Sequence, residues 1–224
     1  MNVYFLVEGK HTERKVYPAW LGHLVPGFTK VDHFHSVIEN NYFLVSGEGY
    51  PSLFGHLQNA IEDFNNAGNY SLFVIALDVD DSTPEDRVTE VVERATANGL
   101  NEEQLRVIPQ NCCIESWFLG NQRMIPRNPQ SQLLAQFIRH YDVRQNDPEL
   151  MPIMNGFKSI GQFHDKYFRE VARARNLRYS KTRPGHVMDL SYVEELKSRV
   201  ESTSQMATLS TFFSLCDEIS EKIS

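Results

Sequence analysis

Apolar residues along this chain fall into short runs separated by turn residues, and their period changes from segment to segment. Residues 2–7 (NVYFLV) and 72–77 (LFVIAL) are apolar without alternation, which predicts strands covered on both faces. Residues 31–37 (VDHFHSV) alternate and predict another strand; residues 42–46 and 105–109 predict two more. The stretches between them carry helical spacing. Thr12 starts a helix predicted to reach about residue 24, with Pro18 expected to bend or interrupt it. Pro51 suits the first turn of a helix that carries Leu53, Leu57, Ala60, Ile61 and Phe64 on one face. Ser82-Thr83-Pro84-Glu85 combines a cap residue, a first-turn proline and a glutamate at capping-box spacing, ahead of a Val88, Val91, Val92, Ala95 stripe. Asn98-Gly99 ends that helix, and residues 114–119 (IESWFL) begin a short one. Strands alternating with helices predict an α/β fold with a mostly parallel sheet flanked by helices.

The last third changes character. Residues 133–141, 160–176, 192–202 and 206–223 read as helices, with a loop rich in Pro, Asn and Asp over 142–157. Met206, Leu209, Phe212, Phe213, Cys216 and Ile219 recur at helical spacing and belong to core packing. No repeat, low-complexity tract or clean linker interrupts the chain. The expected organisation is an α/β domain over residues 1–125 and a helical C-terminal extension over 126–224, packed on the same core.

Composition narrows the class. The 224 residues suffice for one substantial domain, and 41% hydrophobic with 23% charged residues describes an ordinary soluble globular protein. Met1 leads directly into the first predicted strand without a basic n-region or a long h-region, so no signal peptide is expected. No apolar stretch approaches the roughly 20 residues that span a bilayer. Three cysteines make no disulfide framework, and adjacent Cys112 and Cys113 lack the spacing of a zinc knuckle, so a reducing cytoplasm fits best. The net charge of −7 excludes a basic nucleic-acid coat. Residues 158–186 nevertheless hold eight Lys or Arg against Asp165 and Glu170, a segment that suits either a phosphate-binding face or a solvated helix face.

The candidate chemistry lies where two of the strands end. The run through Leu77 closes in Asp78, Asp80 and Asp81, and the first strand closes in Glu8 followed by Gly9. Open α/β sheets place ligands at the carboxyl ends of their strands. Carboxylates crowded there repel one another unless a cation or shared protons compensate, and clustered oxygen ligands suit Mg²⁺ or Mn²⁺. Gly9 would let the backbone turn tightly and a substrate approach. Taken alone, the Asp80-Asp81 pair is equally well explained as the start of a solvated turn.

At these residues the chain resembles a known family. LVEGKHTE, a strand ending in Glu-Gly with Thr-Glu shortly after, and ALDVDDS, a later strand ending in Asp-x-Asp, look like the Toprim domain. That domain occurs in topoisomerases, primases, M5-type ribonucleases and the overcoming-lysogenization-defect nucleases. The resemblance covers roughly residues 1–110. CIESWFLG, Tyr179-Ser180-Lys181 and Pro184-Gly185 resemble stand-alone bacterial Toprim-like proteins with an IExW helix, some of them associated with phage defence. The resemblance implies a Toprim or Rossmann-like sheet whose carboxyl edge positions one or two metal ions for phosphodiester cleavage. It matches Glu8 to the motif glutamate, a general acid or base and metal ligand, and Asp78 and Asp80 to the metal-holding pair. Asp81 is an extra acid able to bind through water. The chain has no ATPase domain, zinc module or dominant basic surface, so the resemblance implies dependence on a partner such as an ATPase.

Further candidates stand outside the two motifs. Glu115 follows the fourth strand inside Cys113-Ile114-Glu115-Ser116-Trp117 and would complete the metal cluster; capping its own helix or pairing with an arginine are the alternatives. Lys181 lies in the loop RYSKTRPGH, where it would hold the scissile phosphate or the leaving oxygen, or simply be solvated; Arg183 is grouped with it as a nucleic-acid contact. Lys10, His11 and Arg14 follow Glu8 and would meet phosphate near the first helix, though solvated positions explain them as well. The eight histidines form no ligand set: His33 and His35 share one side of a predicted strand, and His164 and His186 have no motif. Ser82 reads as a cap, and neither a Gly-x-x-x-x-Gly-Lys loop nor a Gly-x-Gly-x-x-Gly turn occurs. The leading expectation is a Mg²⁺- or Mn²⁺-dependent phosphodiesterase of nucleic acid. A catalytically idle Toprim-like regulatory subunit and a receiver-like phosphate enzyme are the competing ones; the receiver arrangement fits less well because its acidic pair would follow the first strand.

Overall fold

Val3 to Val7 offer no polar side chain to water, and in the computed structural model, which describes residues 1–224, they form a strand buried along its whole length (β1, Val3–Val7). Helix α1 (Glu13–Leu24) follows; it runs through Pro18 without interruption. The edge strand β2 (Thr29–Val31) and then β3 (Asn41–Ser46) precede α2 (Ser52–Ala67), on which all five residues of the predicted stripe are buried. Strand β4 (Leu72–Asp78), α3 (Pro84–Ala97) and β5 (Leu105–Gln110) complete the alternation. The strands form one parallel sheet in the order β2-β3-β1-β4-β5. Helices α4 (Ile114–Phe118), α5 (Gln132–His140), α6 (Ile160–Ala174), α7 (Leu190–Ser202) and α8 (Ala207–Ile223) make up the helical remainder. No helix is long and apolar enough to cross a membrane.

The strand expected over residues 31–37 is shorter than its alternation suggests. Pairing stops at Val31, and Phe34–Ser36 form a 3-10 turn in which His33 Nδ1 accepts from His35 N at 3.4 Å. The chain turns because Phe34 packs against the core and its carbonyl accepts the Tyr70 hydroxyl at 2.7 Å. His33 and His35 therefore stack on each other instead of sharing a strand face.

Two compact units organise the chain. The first comprises Met1–Leu77, Pro84–Pro109 and Phe212–Ser224. Because side chains alternate along β1, Tyr4 and Leu6 join Phe73, Ile75 and the α2 stripe in one core, while Phe5 meets Tyr17 of α1 on the other face. Tyr17 and Trp20 then pack on Phe212 of α8, and Arg106 of β5 holds Glu218 through two hydrogen bonds of 3.0 and 2.9 Å.

The second unit comprises Asp78–Thr83 and Gln110–Thr211. Ser131 and Ser159 cap α5 and α6 through hydroxyls that accept from Leu134 N and Gln162 N. Phe137 of α5, Phe163 and Tyr167 of α6, and Phe157 ahead of α6 form an aromatic cluster. Arg199 of α7 is buried and donates to the carbonyls of Gly120, Val143 and Asn146 and to Gln205 Oε1, so one guanidinium serves three separate segments. The chain leaves the first unit directly after Leu77 and again after Pro109, at the carboxyl ends of β4 and β5.

Candidate active site

Parallel pairing sets which acids share an edge of the sheet. Val7 of β1 lies opposite Ala76 of β4, and Glu8 N donates to Ala76 O at 2.8 Å. Glu8 therefore follows β1 at the carboxyl edge of the sheet. Glu8 is buried; its Oε1 accepts from Tyr50 N at 3.1 Å, and its carbonyl accepts from Gly49 N at 2.9 Å. The carboxylate of Glu13 lies against Gly9, where a Cβ would fall 1.6 Å from Glu13 Oε2. The missing Cβ leaves the space that the Glu13 carboxylate occupies, so a second buried glutamate lies beside the motif.

Within the second unit, β4 runs out through Asp78 into a turn closed by Ser82 N donating to Val79 O at 3.1 Å. Asp80 sits at the second position of this turn with φ +54°, in the left-handed region. Two hydrogen bonds, Val79 N to Gln110 O and Asp80 N to Cys112 O, tie the turn to the segment that leads into α4. Asp78 is half-buried, with its Oδ1 shielded from solvent, and Asp80 and Asp81 are exposed.

Glu115 stands in the first turn of α4 and is 1% exposed, so its charge is held by side chains instead of water. The Tyr179 hydroxyl donates to Glu115 Oε1 at 2.8 Å, and Lys181 Nζ lies 3.8 Å from the same oxygen. Edge-on packing against Phe118 and Phe168 fixes the Tyr179 ring. The Cys113 thiol is held well above its ordinary range by its contact with Cys112, by burial and by the charges of Glu115 and Asp78. Both carboxylates thus act on one sulfur. Asp78, Asp80, Glu115 and Lys181 belong to one unit, and carboxylate oxygens are the donor type that hard cations such as Mg²⁺ or Mn²⁺ take.

Tyr179 also lines a cleft of about 330 Å³ with Arg169, Arg173, Arg178, Ser180 and Arg183. Arg169 is held by Asp165 and Arg173 by Glu170, whereas Arg178 and Arg183 have no acidic partner. Arg183 N donates to the Ser180 hydroxyl, which shapes the loop carrying Lys181. This cleft gives the basic segment of the sequence a concave form. The other basic candidates are placed differently: Lys10 pairs with Glu48 at 3.0 Å, and His11 and Arg14 are exposed near the start of α1.

Two features escaped the reading of the sequence. The clamp on Glu115 joins residues 64 positions apart, and nothing in the sequence pairs Tyr179 with Glu115. Cys112, Cys113 and His164 also come together, with every ligand atom within 4.8 Å of the others. No spacing signals either, because the partners lie on different elements. Comparison with family models, curated proteins and solved structures finds no match to this chain.

Proposed function

We propose that this chain is a divalent-cation-dependent phosphodiesterase acting on nucleic acid. One observation carries the reading: a buried glutamate, clamped by a tyrosine and faced by a lysine, shares that tyrosine with an arginine-lined cleft. Asp78, Asp80 and Glu115 would hold Mg²⁺ or Mn²⁺, with Asp81 acting through water. Bound there, the cation would acidify a water and neutralise charge on the phosphate. Lys181 stabilises negative charge on the reacting phosphate or leaving oxygen. Tyr179 positions Glu115, and Arg178 and Arg183 bind flanking phosphates of the strand. The acidic balance of the whole chain opposes encounter with nucleic acid, which suits a partner, such as an ATPase, that delivers the strand.

The test is cleavage of labelled single- and double-stranded DNA and RNA with Mg²⁺ or Mn²⁺. Asp78→Ala and Glu115→Ala should each reduce the rate at least about a hundredfold, and Lys181→Ala by about 10²–10³. Cleavage that survives in Asp78→Ala and Glu115→Ala would place the chemistry elsewhere. Absence of both cleavage and cation-dependent thermal stabilisation would leave a catalytically idle module.

A further inference from the structure

Cys112, Cys113 and His164 are 3%, 4% and 0% exposed, and they lie together in the second unit. Cys112 Sγ is 3.9 Å from Cys113 Sγ and 3.4 Å from His164 Nδ1. A tetrahedral zinc ion with Zn–S of about 2.3 Å and Zn–N of about 2.0 Å requires S···S of about 3.8 Å and S···N of about 3.5 Å. Two of the three pairs already stand at those separations, and the third, Cys113 with His164, lies within 4.8 Å.

The histidine is also set in the tautomer a metal needs. His164 Nε2 lies 3.2 Å from the carbonyl oxygen of Met151, which can only accept, so Nε2 carries the proton. In the neutral ring Nδ1 then presents its lone pair to the sulfurs. A ligating imidazole is commonly oriented in this way, its second nitrogen donating to a carbonyl. His164 thus turns its free nitrogen to Cys112 Sγ, with the ligand atoms of all three residues within 4.8 Å of one another.

We propose that Cys112, Cys113 and His164 form a site for a thiophilic d¹⁰ cation, Zn²⁺, separate in chemistry from the carboxylate site. Binding Zn²⁺ releases the two thiol protons to solvent and leaves two thiolates, a neutral imidazole and a dication, a set with no net charge. Neutrality matters for a site this deeply buried. Sulfur and imidazole select against Mg²⁺, which takes oxygen, so the proposal stands whether or not the chain cleaves nucleic acid. Three protein ligands leave a fourth position for water. The ion would brace two pieces of the carboxylate site: Cys112 O accepts from Asp80 N at 2.9 Å, and Cys113 is the cap residue of α4, which carries Glu115.

Reduced full-length protein, stripped with a chelator, is titrated with Co²⁺ as a spectroscopic probe and then with Zn²⁺ in competition. One equivalent of Co²⁺ should give a thiolate charge-transfer band and the intense visible bands of a four-coordinate ion, and Zn²⁺ should erase both. Cys112→Ser, Cys113→Ser and His164→Gln should each weaken binding about tenfold or more. Asp78→Ala should leave the spectrum intact, which separates this site from the carboxylate one. Circular dichroism shows which variants fold. A folded wild type that gives no such spectrum overturns the proposal. So does a spectrum retained in folded variants at all three positions.

Discussion

Asp80 combines a charge with a backbone conformation that disfavours it. Its φ of +54° falls at the turn position where glycine is the usual occupant, and a non-glycine residue there costs about 1–3 kcal/mol. Aspartate is among the residues that best tolerate the region, and two backbone bonds, Asp80 N to Cys112 O and Ser82 N to Val79 O, help to hold it there. Asp80→Gly should therefore leave stability unchanged or raise it by about 1 kcal/mol, after the entropy glycine gains in the unfolded chain. The same variant should lose cation-dependent thermal stabilisation and cleavage. Asp80→Asn, which suits the left-handed region but lacks the charge, should keep stability and lose the cation response. Urea denaturation with and without Mn²⁺ reads both quantities. A less stable Asp80→Gly protein that still responds to Mn²⁺ would show that the side chain has a structural role.

At the scale of elements, the start of α8 depends on a carboxylate from a distant turn. Glu149 is buried and accepts from Thr208 N at 2.9 Å, Thr208 Oγ1 at 2.7 Å and Leu209 N at 3.0 Å, serving first-turn N–H groups that have no partner within the helix. Thr208 Oγ1 in turn accepts from Trp117 Nε1 at 3.0 Å, so the cap extends to α4. Burial is the dominant influence and pushes the Glu149 carboxyl up to about 7, against the pull of the three donors. A carboxyl raised on folding favours the protonated form in the folded state. Its stabilising contribution is complete below the ordinary carboxylate value and is lost as pH rises through about 7. Glu149→Gln cannot titrate, so the fall in melting temperature between about pH 5 and pH 7.5 should flatten, with a constant offset from the imperfect amide fit. An unchanged slope would assign the pH dependence to another group. This cap also marks what a sequence can disclose. The α2 stripe, β1 and β4 with its terminal Asp78 are legible because each is a local pattern whose period or terminus shows itself. The Glu149 cap, the Tyr179 clamp on Glu115 and the approach of His164 to Cys112 join distant positions and leave no period behind. Residues 31–37 were misread for a related reason: their alternation is real, but Phe34 answers to Tyr70 and the core instead of to a neighbouring strand.

The whole molecule carries a net charge of −7, yet Arg169, Arg173, Arg178 and Arg183 line one cleft, so the sign of the surface is local. Electrostatic attraction for a nucleic-acid strand should be confined to that cleft, which makes its salt dependence countable. Each phosphate neutralised on a single strand contributes about −0.7 to the slope of log K against log salt. Arg178 and Arg183 have no acidic partner, so they release counterions in full; Arg169 and Arg173 must first give up Asp165 and Glu170, which reduces their share. The slope for a short labelled oligonucleotide should therefore lie between about −1.4, for two arginines, and about −2.8, for four. The Arg178→Ala and Arg183→Ala double variant should lower its magnitude by about 1.4 and leave the melting temperature nearly unchanged, since both side chains are exposed. Fluorescence anisotropy across a salt series, with Ca²⁺ replacing Mg²⁺ to suppress cleavage, gives both slopes. An equal slope in wild type and double variant would mean that the strand binds on another surface and that the cleft serves a different anion.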